Sequence, residues 1–161
     1  MAQETRNAYG EKLAELVQKN PNIVVLDADL TKSTKTIEAK KVCPERHFNA
    51  GIAECNMLAM AAGMAHCGKI VFASSFCMFA SGRAFEIIRN SIAHTNANVK
   101  LCASHGGLAV GEDGATHQSV EDIAIMRDIP GMVVMSPADD VSARKLIKAC
   151  AAFEGPAYVR L

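Results

Sequence analysis

Residues 48–57, which read FNAGIAECNM, carry the chain from the end of a strand or loop into an almost uncharged helix. The Ala- and Met-rich run 57–65 continues that helix, and Gly68 can end it. Glu54 is the one charged residue between residues 48 and 65. A carboxylate in such apolar surroundings must be paired, neutralised or used, because burial penalises its charged form. The alternative is a partly solvated glutamate that only complements the helix dipole.

On either side of this segment, helices alternate with short apolar strands, such as the β-branched run 23–26, which is typical of a strand covered on both faces. This alternation predicts an α/β fold, a three-layer sandwich with a mostly parallel central sheet and helices on both faces. No repeat or linker interrupts it, so residues 1–161 are interpreted as a single domain. The predicted helices are about 5–19, 57–65, 82–94, 120–127 and 138–152, and the predicted strands are 23–26, 69–73, 99–103, 132–135 and 157–160, with 35–47 as a charged connector.

The composition excludes several classes of function. Lysine plus arginine number 17, as do aspartate plus glutamate, so no basic field exists to attract nucleic acid or an anionic membrane. No apolar run approaches the ~20 residues that a membrane-spanning helix needs. The start, MAQETR, lacks the apolar core and cleavage pattern of a signal peptide, so we interpret the protein as cytoplasmic. The chain stops directly after a predicted strand, which favours a domain of something longer.

The cysteines show no metal or disulfide pattern. None of the six forms a Cys-x-x-Cys pair, and most stand among Ala, Met and Val. The sequence therefore predicts buried free thiols in a reducing compartment and no metal site in this chain.

Three blocks of sequence stand in a distinctive order and spacing: residues 51–54 (GIAE) with the Ala/Met helix, 75–79 (SFCMF) and 111–118 (GEDGATHQ). Together they resemble the pyrimidine-binding domain of transketolase, a thiamine diphosphate enzyme. The similarity extends over nearly the whole chain and ends with residues 136–139 (SPAD). The third block favours transketolase over related enzymes. The resemblance implies the thiamine diphosphate-binding fold and the transfer of a two-carbon ketol unit between sugar phosphates.

By this resemblance Glu54 is catalytic. A carboxyl group bonded to a ring nitrogen of the aminopyrimidine drives the tautomerisation that activates the cofactor, and it must be buried, fixed and able to share a proton near neutral pH. Phe76 and Phe79 resemble the aromatic floor on which the family stacks that ring, with Phe79 preferred and core packing as the alternative. Gly82 stands where the family often places a further aromatic residue, so the pocket is expected to be shallower or completed differently.

The resemblance also assigns substrate contacts. The family's residues that face the sugar are matched here by His105, Asp113 and His117. Such residue types suit that place, since a sugar that is cleaved and rejoined needs proton donors and acceptors around its oxygens. Asp113 would read a hydroxyl, His117 would contact a hydroxyl or transfer a proton, and His105 would line the channel and bind phosphate. The alternative for each histidine is an idle, solvated loop residue.

A further set by resemblance lies outside this loop. Arg6, Ser33 and Arg160 fall where the family holds the terminal phosphate, combining guanidinium groups with a hydroxyl. Asp29 resembles an acid close to the cofactor's thiazolium ring. Its alternative is a turn aspartate that bonds its own backbone.

One part of the expected site is missing from this sequence. Thiamine enzymes hold the cofactor's diphosphate through Mg²⁺, using a Gly-Asp-Gly motif and a downstream asparagine, and the chain has no such motif. The resemblance therefore implies half of a site. Thiamine diphosphate would be shared with a diphosphate-binding domain or subunit, and that partner would bind Mg²⁺, as in transketolases split into two polypeptides. The assembly would be a homodimer or a hetero-oligomer. The chain alone would catalyse nothing.

Three alternatives to a transketolase stay open at this point. A deoxyxylulose-phosphate synthase and the β subunit of a 2-oxo-acid dehydrogenase share the fold and the acid. A non-catalytic module that dimerises through its Met/Ala helices would need no active site.

Overall fold

A six-stranded sheet forms the centre of the computed structural model, which describes residues 3–161. Met1 and Ala2, which belong to the predicted domain and to the start that lacks a signal-peptide pattern, lie outside the described residues. The strands are β1 (Ile23–Asp27), β2 (His47–Asn49), β3 (Ile70–Phe76), β4 (Val99–Ser104), β5 (Val133–Met135) and β6 (Ala157–Arg160). Their order in the sheet is β2-β1-β3-β4-β6-β5, and every neighbouring pair is parallel.

Helices cover both faces of this sheet, which confirms the predicted three-layer α/β sandwich. The helices are α1 (Thr5–Lys19), α2 (Ile37–Val42), α3 (Glu54–His66), α5 (Asp122–Arg127) and α6 (Asp140–Ala152), and α4 comprises two π-helical segments, Phe79–Arg83 and Ile88–Ala93, around a short α-helical turn at Phe85–Ile87. Neighbouring strand residues point to opposite faces. Val24 and Leu26 of β1 therefore enter the core beneath α3, α4 and α5, whereas Ile23 and Val25 enter the core beneath α1, α2 and α6.

Several sequence-based boundaries were wrong; α3, for example, begins at Glu54 rather than at residue 57. The connector 35–47 contains α2, a 3₁₀ turn at Pro44–Arg46 and the start of β2. Strand β3 runs on to Phe76, because its pairing with β4 continues up to Ser104, and the hydroxyl of its buried Ser74 bonds Tyr9 Oη at 2.7 Å. Helix α4 begins at Phe79 rather than at residue 82.

Two of the six cysteines differ from the sequence-based prediction. All six thiols are free, but Cys55 and Cys67 are exposed, so the prediction of burial was wrong for these two. Cys55 lies in the first turn of α3, and Cys67 caps the carboxyl end of that helix. Within residues 3–161, no helix is long and apolar enough to cross a membrane.

The carboxyl ends of the parallel strands meet at one edge of the sheet, where α/β proteins bind ligands. Buried Asp27 ends β1 and fixes the loop that follows: its Oδ2 accepts hydrogen bonds from Thr31 at 2.7 Å and Thr36 at 3.1 Å, and His47 Nε2 lies 2.8 Å away. Burial raises the pKa of Asp27, but hydrogen bonds from His47 and Thr31 outweigh it and hold that pKa below its usual range.

Candidate active site

Glu54 is the first residue of α3 and is 3% exposed. It is not a lone acid among Ala and Met, as the sequence suggested. Arg83 Nη1 lies 3.3 Å from its Oε1 and 3.2 Å from its Oε2. The guanidinium carbon of Arg83 also lies 4.2 Å from the centroid of the Phe79 ring, and the Arg83 side chain is 52% exposed. The buried carboxylate is therefore compensated by a cation that reaches it from the surface.

Two phenylalanines and two histidines adjoin this ion pair. Phe76 ends β3, and its ring stacks on that of Phe79 with centroids 5.9 Å apart and planes 18° apart. The His105 ring lies 4.0 Å from Phe76, and the His117 ring meets Phe79 edge-on at 5.1 Å. The predicted aromatic floor and both predicted loop histidines thus form one cluster, because strands β3 and β4 are neighbours and their following loops meet.

His105 joins this aromatic cluster to a cationic one. Its Nε2 lies 3.0 Å from Arg6 Nη1, and its Nδ1 lies 2.8 Å from Ser104 Oγ. A guanidinium can only donate, so Nε2 accepts and Nδ1 carries the proton. Burial and the Arg6 charge lower the pKa of His105, which keeps this ring neutral at pH 7. Its backbone is held at φ 61°, a left-handed conformation that is uncommon outside glycine.

Arg6 and Ser33 meet at the same place. Arg6 Nη1 donates to the Ser33 carbonyl at 3.4 Å and its Nε bonds Glu4 Oε2 at 2.7 Å, so Ser33 contributes its backbone here rather than the predicted hydroxyl. A cleft of about 280 Å³ opens beside Arg6 and His105. Of the predicted phosphate set, Arg6, Ser33 and His105 are therefore brought together.

A family model described as "Transketolase, pyrimidine binding domain" matches residues 1–161. This chain belongs to the transketolase family. The putative transketolase C-terminal section of Methanocaldococcus jannaschii is 60% identical over 156 residues, which are 97% of this chain and 49% of that protein. The 6-deoxy-6-sulfo-D-fructose transketolase subunit SqwH of Clostridium sp. is 41% identical over 97% of this chain and 48% of its own length.

A solved structure of a split-gene transketolase, described as an inactive beta4 tetramer, superposes with a TM-score of 0.89 at 55% identity. The match covers 100% of this chain and 52% of that chain. This transketolase domain spans about half the length of the curated relatives it matches.

The transketolase family implies thiamine diphosphate, and the residues of this site fit its aminopyrimidine. A flat, partly exposed Phe79 ring lies beside the buried Glu54 carboxylate. The planar guanidinium of Arg83 already stacks on that ring and donates to that acid, so the space accepts a flat group with polar N–H edges. For the metal, residues 3–161 contain no group of three His, Cys, Asp or Glu side chains placed to hold an ion.

The 111–118 loop of this transketolase domain places its predicted residues unequally. His117 reaches Phe79, and its Nδ1 lies 2.9 Å from Thr116 Oγ1. Asp113 is exposed, and its charge reaches His105, where it acts to raise the pKa against the larger effects of burial and Arg6. Both roles stay predictions.

Two predicted residues have partners of their own. Asp29, at φ 64°, is exposed and bonded to Asn49 in both directions, through its backbone N–H at 3.1 Å and its carboxylate at 3.0 Å. The carboxylate thus bonds the Asn49 side chain rather than its own backbone, and the role of Asp29 near the cofactor stays a prediction. Arg160 Nε bonds buried Asp122 Oδ2 at 3.0 Å, and the same oxygen accepts from Tyr158 Oη at 2.7 Å. A phosphate would compete with Asp122 for Arg160.

Sequence reasoning missed Arg83, although a signal existed. Phe79 and Arg83 are four residues apart, the spacing at which side chains on one helix face meet. It also missed Asp27 and Asp122, whose neighbours in space come from distant parts of the chain.

The state of His105 has a consequence for stability. Its pKa is lowered in the folded domain, so the unfolded chain binds the proton more readily, and stability should fall as the pH drops below the ordinary histidine pKa of about 6.5. We expect the urea midpoint of the wild type to fall more between pH 7.5 and pH 5.5 than that of His105→Asn, which tolerates the left-handed backbone. His66→Gln, at an exposed histidine, is the control and should behave as the wild type. If the urea midpoints of the wild type and of His105→Asn fell equally between pH 7.5 and pH 5.5, the lowered pKa of His105 would be contradicted.

Proposed function

We propose that residues 1–161 form the pyrimidine-binding domain of a thiamine diphosphate-dependent transketolase. Assembled with a diphosphate-binding domain or subunit that holds Mg²⁺, it would transfer a two-carbon ketol unit from a ketose phosphate to an aldose phosphate, as in the pentose phosphate pathway. The observation that carries this proposal is the buried Glu54 carboxylate beside the stacking face of Phe79. The names of the similar relatives support it.

In this proposal, each part of the site has a separate task. Bound thiamine diphosphate would supply the nucleophilic carbon that carries the ketol unit. Phe79 would orient the aminopyrimidine, and Glu54 would hold a proton between its carboxylate and a ring nitrogen. His105 is neutral and bonds Arg6 through Nε2, so it would line the channel and hold the guanidinium in place for a phosphate group. Arg6 would exchange its Glu4 partner for the substrate's phosphate group.

The rim of the site supports a covering partner. Ile52, Leu108 and Val120 are 77%, 74% and 70% exposed, and all three lie on loops at the edge of the sheet that carries the site. Large aliphatic side chains around a polar site favour burial by another protein surface. We therefore propose that the diphosphate-binding partner contacts this rim and covers the site. The description of a similar split-gene subunit as an inactive tetramer is consistent with a domain that associates but does not act alone.

Replacing Ile52 by aspartate tests this interface. We expect the affinity for the diphosphate-binding partner to fall at least about tenfold, because a charge would be buried without a partner in the interface. The urea midpoint of the isolated chain should not change, since Ile52 is exposed in it. Val141→Asp, at a residue 54% exposed on α6, is the matched control and should bind normally. Equal affinities for both variants would contradict the interface.

The reaction itself is tested with the assembled enzyme. We expect turnover with xylulose 5-phosphate as donor and ribose 5-phosphate as acceptor, dependent on thiamine diphosphate and Mg²⁺. Turnover of pyruvate in their place would overturn the proposal in favour of a synthase or dehydrogenase.

A further inference from the structure

The Arg83 side chain occupies the place that the proposed function gives to the aminopyrimidine ring. We propose that Arg83 is a removable internal ligand of the cofactor site: its guanidinium fills the space between Phe79 and Glu54 until the cofactor displaces it. This inference rests on the proposed function and assigns to Arg83 a control of cofactor affinity.

Two contacts made by the same group carry the argument. The Arg83 guanidinium lies 4.2 Å from the Phe79 centroid and donates from Nη1 to both oxygens of Glu54. A flat ring stacked on Phe79 and bonded to Glu54 would need the same face and the same carboxylate. Arg83 and the ring therefore exclude one another.

The Arg83 side chain is also free to leave. It is 52% exposed, whereas the acid it reaches is 3% exposed. Its backbone stays in place when the side chain moves, because the residue ends the Phe79–Arg83 π-helical segment and its carbonyl accepts a hydrogen bond from Cys55 Sγ at 3.2 Å. Departure of the guanidinium would place it in water, where its charge is well solvated.

Displacement changes the proton count of the site. Arg83 brings its own N–H groups to the Glu54 carboxylate, so their pairing needs no added proton. The ring nitrogen that Glu54 would face is an acceptor, and so is the carboxylate, so the two can bond only through a proton taken from solution. Exchange of Arg83 for the ring is therefore accompanied by proton uptake. The affinity of the wild type for the cofactor should fall as the pH rises.

The charged and titratable groups around Glu54 are few. Arg83, on α4, forms its ion pair, and Cys55, on α3, contacts the Arg83 backbone. His105 and His117 contact the phenylalanine rings. A change in the charge of either histidine would therefore also contribute to the pH dependence of cofactor binding. Removing Arg83 alone leaves the Glu54 carboxylate buried without its counter-ion.

The test is calorimetry of thiamine diphosphate with Mg²⁺, titrated into the chain assembled with its cognate diphosphate-binding subunit. Repeating it in buffers of different ionisation enthalpy counts the protons taken up. We expect Arg83→Met to bind about 5- to 30-fold more tightly than the wild type, the worth of one ion pair and one cation–π contact. Arg83→Gln provides a second, polar variant should the first not fold.

Arg89→Met is the matched control, since Arg89 lies on the same helix and is exposed. It should bind with the affinity and proton uptake of the wild type. Affinity of Arg83→Met and Arg83→Gln equal to or weaker than that of the wild type would overturn the role of Arg83 while leaving the proposed function standing. Absence of binding to wild type and all variants would instead overturn the proposed function and, with it, the role of Arg83.

Discussion

Replacing Glu54 by glutamine is expected to lower the turnover of the assembled enzyme by about 100- to 10,000-fold, the usual worth of a positioned acid or base. The amide keeps the size of the side chain and can still form a hydrogen bond, but it cannot exchange a proton with the cofactor ring. The folded domain should persist, because the Arg83 side chain is half exposed and can turn to solvent when its partner loses its charge. The measurement is the steady-state rate with sugar phosphate substrates, together with the urea midpoint of the chain.

Glu86→Gln is the control for this change. Glu86 lies in α4 and is exposed, so its loss should leave the rate unaltered. A Glu54→Gln enzyme with more than about a tenth of wild-type turnover would contradict the catalytic assignment, since even a modest acid–base contribution exceeds that factor.

Replacing Asp122 by alanine is expected to destabilise the domain by about 3–5 kcal/mol, the usual cost of removing one partner from a buried ion pair. Asp122 is 1% exposed, and its Oδ2 accepts from both Tyr158 and Arg160. Its loss leaves a fully buried phenol and a largely buried guanidinium without their acceptor. The measurement is urea unfolding of the chain at pH 7.5. Asp128→Ala, at an exposed aspartate that caps the same helix, should change stability by less than about 0.5 kcal/mol.

The Asp122 change should also disturb the loop that carries the two site histidines. Arg160 packs under Gly106, where an added Cβ would lie only 2.5 Å from Arg160 Nε, and its Nη2 donates to the Ser119 carbonyl at 3.4 Å. Both ends of the loop therefore rest on this arginine. An Asp122→Ala chain whose midpoint matches that of Asp128→Ala would show that the contact carries no stability.

Much of the fold followed from local patterns. An amphipathic run that ends before Asn20-Pro21 correctly predicted the bounds of α1. A short apolar run correctly predicted those of β6. Strand β2 was not predicted, because it has only three residues and gains its place by pairing with β1 in a charged part of the chain. Strand β3 was predicted to end at residue 73, whereas its pairing with β4 continues to Phe76.

The site was predictable only as residue types. The resemblance supplied Glu54, Phe79 and His105, and the structure brings them into one cluster. Arg83 was missed: its spacing from Phe79 places both on one helix face, but its pairing with Glu54 joins residues 29 apart. Nor could the sequence show that Arg160 has an internal acid, since Asp122 lies 38 residues before it.

The contact between Arg6 and His105 joins residues 99 positions apart. Arg6 lies near the start of α1. His105 directly follows β4, a strand that pairs with β3. During synthesis on the ribosome, the first helix therefore emerges long before its partner, and only a nascent chain that extends beyond His105 can form this contact. Such distant pairings fold slowly and late. The contact therefore forms only after more than half of the domain has been made.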